Sequence, residues 1–307
     1  MAGEQTIVAT SEPAHLHPVR RIRELVAARE LLVNLVRKEV KVKYVSSALG
    51  AVWSMMNPVL YLAVFGLLFT VILQNNIPSF PVYLLSGLLA WNLFSSSTGT
   101  AVRSVVDNST LVKRVYLPRE VLPLSSVGAA MVDFALQAVV LLAFMLAFRY
   151  DFVGFNLVLL PLALFTVVIF ATALSMFVAA MNVRYRDTQH LLYLALTLWL
   201  WLTPVIYPSA FVFDQLGGRS VLGVPVLDLY LANPMVPIIL AFQRALYAHP
   251  TPIAKVNGHL QHVPVLPDVS IGWLALVLGA VAVGSIILLL LAWRTYFHMS
   301  GDFAEEL

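Results

Sequence analysis

Six apolar runs divide the chain, at roughly 54–74, 82–103, 123–148, 156–181, 190–207 and 271–293. Each is close to the ~20 residues that carry an α-helix across a ~30 Å hydrocarbon layer. The pattern predicts an all-α polytopic membrane protein with six transmembrane helices. Short polar stretches such as "QNNIPSFP", "RYDF" and "NVRYRDTQH" separate runs, and the fifth run ends in "TPVIYP". The 208–270 stretch between the last two runs is too long for an idle turn. Its centre, "DLYLANPMVPIILAFQRALY", is apolar but cut by Pro234 and Pro237. Neither piece reaches spanning length, so two short re-entrant or interfacial helices broken at Asn233-Pro234 are expected.

A different period precedes the first run. Ile22, Leu25, Val26, Val33, Val36 and Val40 recur at helical spacing and share one face, with Arg23, Glu30, Lys38 and Lys41 opposite and Arg29 intruding. A basic amphipathic helix beside a membrane lies in the headgroup layer. The organisation expected is a disordered tail over 1–19, an amphipathic interfacial helix and turn over 20–50, a six-span domain over 51–298 with an external helical loop at 208–270, and a tail over 299–307. The first nineteen residues have no apolar core of the signal-peptide kind.

Composition agrees with a membrane protein: 60% of residues are hydrophobic and 11% charged, and the mean hydropathy is +0.85. The net charge of +3 comes from bases beside the spans, a topology signal and not a nucleic-acid footprint. Fifteen of the 19 Lys and Arg lie in 20–43, 103–119, 184–186 and at 294; the other four are Arg149, Arg219, Arg244 and Lys255. That asymmetry places both termini in the cytoplasm and 208–270 outside.

Several chemistries have no carrier. No GxxxxGK[ST] phosphate loop occurs, so no ATP site of that kind is expected. Cysteine is absent. His259 and His262 stand three apart with only Asp268 nearby, a poor metal set, and no metal is expected. Asp133 lies within the third run, where an ionised carboxylate costs ~2.5–3.5 kcal/mol. It must face protein, and Gln137 one turn on is the expected partner. One acid makes no ion relay. A transporter with neither ATP site nor relay needs an external motor. The segment "DNSTLVKRVYLPRE" at 107–120 offers a place to attach one: Asn108 or Ser109 can cap a short helix, and Pro118 ends it by disfavouring helical geometry at Leu117.

"RKEVKVKYVSSALGAVWSMMNPVLY" resembles the approach to the first span in ABC type-2 permeases that export O-antigen, teichoic acid and capsule-like polysaccharides. The likeness is carried by Lys41, Lys43, Tyr44, Ser47, Leu49, Gly50, Trp53 and Pro58, with Lys38-Glu39 where that family often has Arg-Asp. "SGLLAWNLFSSS", "DNSTLVKRVYLPREVLP", "VRYRD", "TPVIY" and "ANPM" followed by "FQRALY" continue the likeness in order.

The resemblance implies a permease subunit of the bacterial inner membrane. Two copies form the pore, and two copies of a separate ATPase carry ATP and Mg. The substrate is a polysaccharide on a polyprenyl diphosphate. It implies ATPase contacts at Asn108, Leu111, Lys113, Arg114, Pro118 and Arg119, with Arg184, Arg186 and Asp187 in the second loop. It implies a lateral gate between the first and fifth spans and a channel lined by aromatics, here Tyr61, Phe65, Phe69, Tyr193, Trp199, Trp201 and Tyr207. Arg37, Lys38, Lys41 and Lys43 are the densest basic cluster beside a span; with Tyr44, Gly50 and Trp53 they are the candidates for receiving an anionic lipid head. The Ala/Val/Leu-rich composition points to a high-GC, actinobacterial-type source, where the cargo would be a lipid-linked galactan.

Three other readings compete. A membrane glycosyltransferase needs acidic metal ligands, but the external acids Asp151, Asp214, Asp228 and Asp268 are widely spaced. A secondary transporter usually shows more spans and inverted repeats. A small-molecule exporter of the same ABC type-2 fold differs only in substrate.

Overall fold

The computed structural model describes residues 18–44, 53–68, 79–115, 117–147, 149–150, 154–221, 223–247, 253–256, 259–262 and 264–307. The expected disordered tail up to residue 17, the turn about Gly50 and most of "QNNIPSFP" lie outside the described residues. Two N-terminal helices, α1 (Pro18–Ala27) and α2 (Arg29–Tyr44), run almost continuously. Then come α3 (Trp53–Leu67), α4 (Phe80–Asp107), the short α5 (Ser109–Arg114) and α6 (Val121–Ala147). A 3-10 turn at Gly154–Val158 leads into α7 (Leu159–Arg184), followed by α8 (Thr188–Trp201). The long stretch after it holds α9 (Ser209–Leu216), α10 (Val226–Leu231) and α11 (Met235–Leu246). The chain closes with α12 (Ile271–Ser300) and α13 (Phe303–Glu306). Two small antiparallel hairpins, Ser220–Val221 with Val224–Pro225 and Ile253–Val256 with His259–His262, are the strands that an all-α expectation omitted.

Among the described residues, Val121–Ala147, Gly154–Arg184 and Ile271–Ser300 are long and apolar enough to cross a membrane. They correspond to the third, fourth and sixth apolar runs. On α12 one face, with Leu274, Leu278, Ser285 and Tyr296, is buried, while Leu276, Val283, Ile287, Leu290 and Leu291 on the other are exposed. An outer face this apolar suits a helix whose outer solvent is lipid.

Helix α4 is less apolar than these three because it meets protein on most sides. It packs against α6, α7, α11, α8 and α3. Small residues let these neighbours approach. Its buried serines and threonines bond within the helix, as where Ser97 Oγ donates to the Leu93 carbonyl at 2.7 Å and Thr98 Oγ1 to Phe94 at 3.0 Å. Gly87 permits the closest contact. A Cβ there would lie 2.9 Å from Gln243 Nε2 and 3.4 Å from the Val205 Cα.

Helix α11 is inserted into the bundle. Eleven of its twelve residues are buried, against α4, α7 and α12. Apolar residues fill most of it, and its buried Gln243 donates to the Pro204 carbonyl at 2.8 Å, which suits an interior and not a surface. The break before it falls at Asn233-Pro234. Pro237 sits in the first turn, where its missing N–H breaks no helical bond.

The apolar residues divide into two clusters. The smaller gathers one end of the bundle: Leu35 of α2, Val105 of α4, Val112 of α5, Leu122 of α6, Val183 of α7, Tyr296 of α12 and Phe303 of α13. The N-terminal helices, the α4–α6 connection, the end of α7 and the C-terminal tail therefore share that end. These are the segments that the Lys and Arg asymmetry groups together. The packing face of α1–α2 differs from the expected one. Of the expected face Leu25, Val36 and Val40 are half-buried, and Leu31, Leu32 and Leu35 pack inward beside them, whereas Ile22, Val26 and Val33 are exposed. The helix carries two adjacent apolar faces; a single face drawn through the valines merged them.

Candidate functional site

The bundle end that gathers these segments carries the polar constellations. Asn108 separates α4 from α5 and is buried. Its side chain does not cap α5. Nδ2 donates back to the Ser104 carbonyl at 2.8 Å, and Oδ1 accepts from Lys38 Nζ at 2.7 Å. The structure thus joins two residues that the sequence assigned to separate roles. On α5, Val112 is buried, Leu111 is half-buried, and Lys113 and Arg114 are exposed. They line a cleft of about 1000 Å³ together with Arg21, Glu24, Arg119 and Phe297.

Glu120 closes the segment. It is fully buried and takes a two-pronged bond from Arg21, Nε to Oε1 at 2.8 Å and Nη2 to Oε2 at 3.1 Å. Trp293 Nε1 donates to Oε1 at 3.3 Å. Arg21 also reaches Glu24 at 2.7 Å and lies 5.1 Å from the Phe297 ring centroid. Burial opposes the Arg21 charge, but Glu120 and Glu24 outweigh it and raise its pKa above the ordinary value. Sequence reasoning missed Arg21 and Glu120. The available signal was an acid placed directly after Pro-Arg in an otherwise basic loop. Pro118 is half-buried in the turn, where Val121 N–H donates to its carbonyl at 3.0 Å. Arg119 is also half-buried; Tyr296 donates its hydroxyl to the Arg119 carbonyl at 2.8 Å.

The second loop is simpler. Arg184, Arg186 and Asp187 are exposed. Arg184 lies over the Tyr185 ring at 5.8 Å, and Asn182 Oδ1 accepts from the Gln189 backbone at 3.3 Å.

Helix α2 ends on the buried carboxylate of α6. Lys43 Nζ stands 2.6 Å from Asp133 Oδ2, and the Tyr44 hydroxyl donates to Oδ1. Gln137, the partner expected from sequence, instead accepts from Asn92 Nδ2 at 2.9 Å. The correction has a physical reason: a cation offsets a buried carboxylate better than an amide does, and α2 crosses α6 where Lys43 can reach. A hollow of about 220 Å³ beside the pair is lined by Glu39, Lys43, Ser96, Thr100 and Asp133. Arg37 and Lys41 are exposed. Gly50 and the side chain of Trp53 lie outside the described residues.

The aromatic candidates divide by place. Tyr61 stacks on Phe65 with centroids 6.0 Å apart, and Phe65 meets Trp201 edge-on at 6.3 Å, which joins α3 to the end of α8. Trp199 packs into the interior against Phe94 at 5.2 Å and Phe170 at 6.0 Å, with Nε1 on Asn233 Oδ1 at 2.8 Å. Tyr193 is exposed and donates to the Gly99 carbonyl at 3.0 Å. Tyr207 lies at the opposite end of the bundle, its hydroxyl 3.4 Å from that of Tyr230. Phe69 and the side chains of His259 and His262 lie outside the described residues.

Residues 30–215 match the family described as ABC-2 type transporter. The chain is 36% identical over 248 residues to the O-antigen export system permease protein RfbA of Myxococcus xanthus, covering 81% of this chain and 92% of that one. A protein of the same name from Klebsiella pneumoniae is 30% identical over 186 residues, 61% of this chain and 72% of its own.

Proposed function

Because the chain belongs to the ABC-2 type transporter family, we propose that it is the permease subunit of an ATP-driven exporter that moves a lipid-linked polysaccharide of the O-antigen kind. The carrying observation is the 36% identity to an O-antigen export permease over most of both chains. The small-molecule alternative has no such support. In this reading the protein is a multi-pass component of the bacterial inner membrane. Helices α3, α4 and α8 complete a set of six spans with α6, α7 and α12, and both termini face the cytoplasm. Two copies assemble with two copies of a separate ATPase, which carries ATP and Mg.

Each constellation then has a task. Helix α5 presents Lys113 and Arg114 to acids of the ATPase, with a smaller contact from Arg184, Arg186 and Asp187. Helix α2 offers Arg37 and Lys41 to the diphosphate of the lipid carrier, while Lys38 and Lys43 of the same basic cluster are engaged by Asn108 and Asp133. The Lys38 contact to Asn108 makes this helix a neighbour of the ATPase contact. The Tyr61, Phe65 and Trp201 group supports a lateral gate between α3 and α8, and flat rings there give a sugar chain stacking surfaces without deep wells.

Photocrosslinking tests the path. A photoreactive residue at position 44, 53 or 201 should label with a polyprenyl-diphosphate-linked glycan. O-antigen, teichoic-acid and galactan carriers form separate arms of that experiment. Labelling by bulk phospholipid alone, with normal export by Arg37→Glu/Lys41→Glu, would place the path elsewhere.

A further inference from the structure

Phe303 is fully buried at the bundle end that carries α5. Its ring meets Tyr296 edge-on, centroids 5.5 Å apart and planes at 86°. The Arg119 guanidinium lies 6.0 Å from the Phe303 centroid, and its Nη1 donates to the Gly301 carbonyl at 3.5 Å. Tyr296 holds the Arg119 carbonyl from the other side at 2.8 Å. Helix α13 packs against α5 itself. The end of α12 and the tail beyond it therefore hold the connection after α5, and α13 also abuts the helix.

Helix α5 needs such support. Its six residues are far below the length at which a helix is stable alone. Asn108 gives its side chain to Ser104 and Lys38 and leaves the first turn without a side-chain cap. What fixes α5 is the apolar cluster behind it, where Val112 and Phe303 are both members. The acids of the tail, Asp302, Glu305 and Glu306, are exposed, so the inward face of α13 is an apolar plug.

We propose that α13, through Phe303, is the positioning element of α5 and sets the orientation in which Lys113 and Arg114 meet the ATPase. This rests on reading α5 as the ATPase contact. Phe303 touches no substrate or nucleotide in this arrangement; it acts through Val112 and Arg119. Loss of the plug should loosen α5 and raise the ATP consumed per substrate exported.

The test is amide hydrogen exchange on the full-length chain assembled with its ATPase, paired with export per ATP in proteoliposomes. Phe303→Ala should speed exchange across 109–115 by roughly tenfold and lower export per ATP. Phe303→Leu, which keeps an apolar filler, should recover much of both. Neutralising the acids with Asp302→Asn, Glu305→Gln and Glu306→Gln together should change neither. Unchanged exchange in Phe303→Ala overturns the proposal, as does faster exchange with unaltered export per ATP. A loss reproduced by the acid-neutralised variant overturns it too, because the contact would then be one of charge. If Phe303→Ala does not assemble, Phe303→Val, which leaves part of the plug's volume empty, decides in the solubilised permease: faster exchange over 109–115 than in wild type is expected, and exchange equal to wild type rejects the positioning role. The underlying reading is checked separately in the wild type, where adding the ATPase should protect 109–115. Absence of that protection would remove the ATPase contact while leaving the packing of α13 on α5 intact.

Discussion

Lys43 and Asp133 stand 90 positions apart in the chain and 2.6 Å apart in the structure. The pair ties the end of α2 to α6. Asp133 is buried and Lys43 about half-exposed, so this is a carboxylate withdrawn from lipid and met by a cation that still reaches solvent. Lys43→Met should destabilise the protein by about 1–3 kcal/mol, the cost of stripping a partner from a buried acid whose cation was only partly desolvated. Adding Asp133→Asn, which removes the charge and can keep the Tyr44 bond, should recover most of that loss. Thermal unfolding in detergent of the two single variants and the double variant checks it; a loss in the double variant equal to the sum of the two single losses would show that the pair is not coupled.

Arg21→Ala should cost more. Among the described residues, it leaves the fully buried Glu120 with Trp293 as its donor. Breaking a buried pair in this way costs about 3–5 kcal/mol. Trp293→Phe, which removes one neutral donor, should cost about 1 kcal/mol. Denaturant or thermal midpoints in the same detergent would give the ranking.

Gly87→Ala should destabilise by about 1–3 kcal/mol through overpacking. The new methyl group would press on the Gln243 amide, which is held at 2.8 Å on the Pro204 carbonyl and cannot swing away freely. Gln243→Ala in the same background should relieve part of the clash, which a double-mutant cycle can read.

Much of this fold was legible in the sequence because hydrophobic length is a strong local signal. The runs at 123–148, 156–181 and 271–293 became α6, α7 and α12. The run at 82–103 became α4, whose Ser and Thr residues are accommodated by bonds to its own backbone. The break at Asn233-Pro234 was also local. What could not be read was pairing over distance. Arg21 with Glu120 and Lys43 with Asp133 join segments about 90 to 100 positions apart, and no spacing rule links them. Gln137 looked like the partner of Asp133 because it is near in sequence, but Asn92 on α4 claims it. The aromatic set was recognised as residues and not as places: Trp199 supports the interior, while Phe65 and Trp201 meet between helices. The leucine face of α1–α2 was hidden because valines and leucines alternate around the same helix.

Lys113→Glu with Arg114→Glu should abolish or strongly reduce substrate-stimulated ATP hydrolysis while the chain still inserts and assembles as a membrane protein. Both residues are exposed beside the cleft at the bundle end, so the double reversal disturbs a surface and not the core. Size-exclusion behaviour of the solubilised variant monitors the fold, and ATP turnover of the complex monitors coupling. Unaltered stimulation and export would remove α5 from the ATPase contact.

A permease of this kind should export a lipid-linked glycan only when a separate ATPase drives it. The direct measurement is transport of a labelled polyprenyl-diphosphate-linked O-antigen into proteoliposomes containing this chain, with and without an ABC ATPase subunit. The account predicts ATP-dependent glycan accumulation with both subunits present, and neither transport nor ATP hydrolysis by this chain alone. ATP hydrolysis by the purified chain alone, or glycan movement that needs no ATPase, would contradict it.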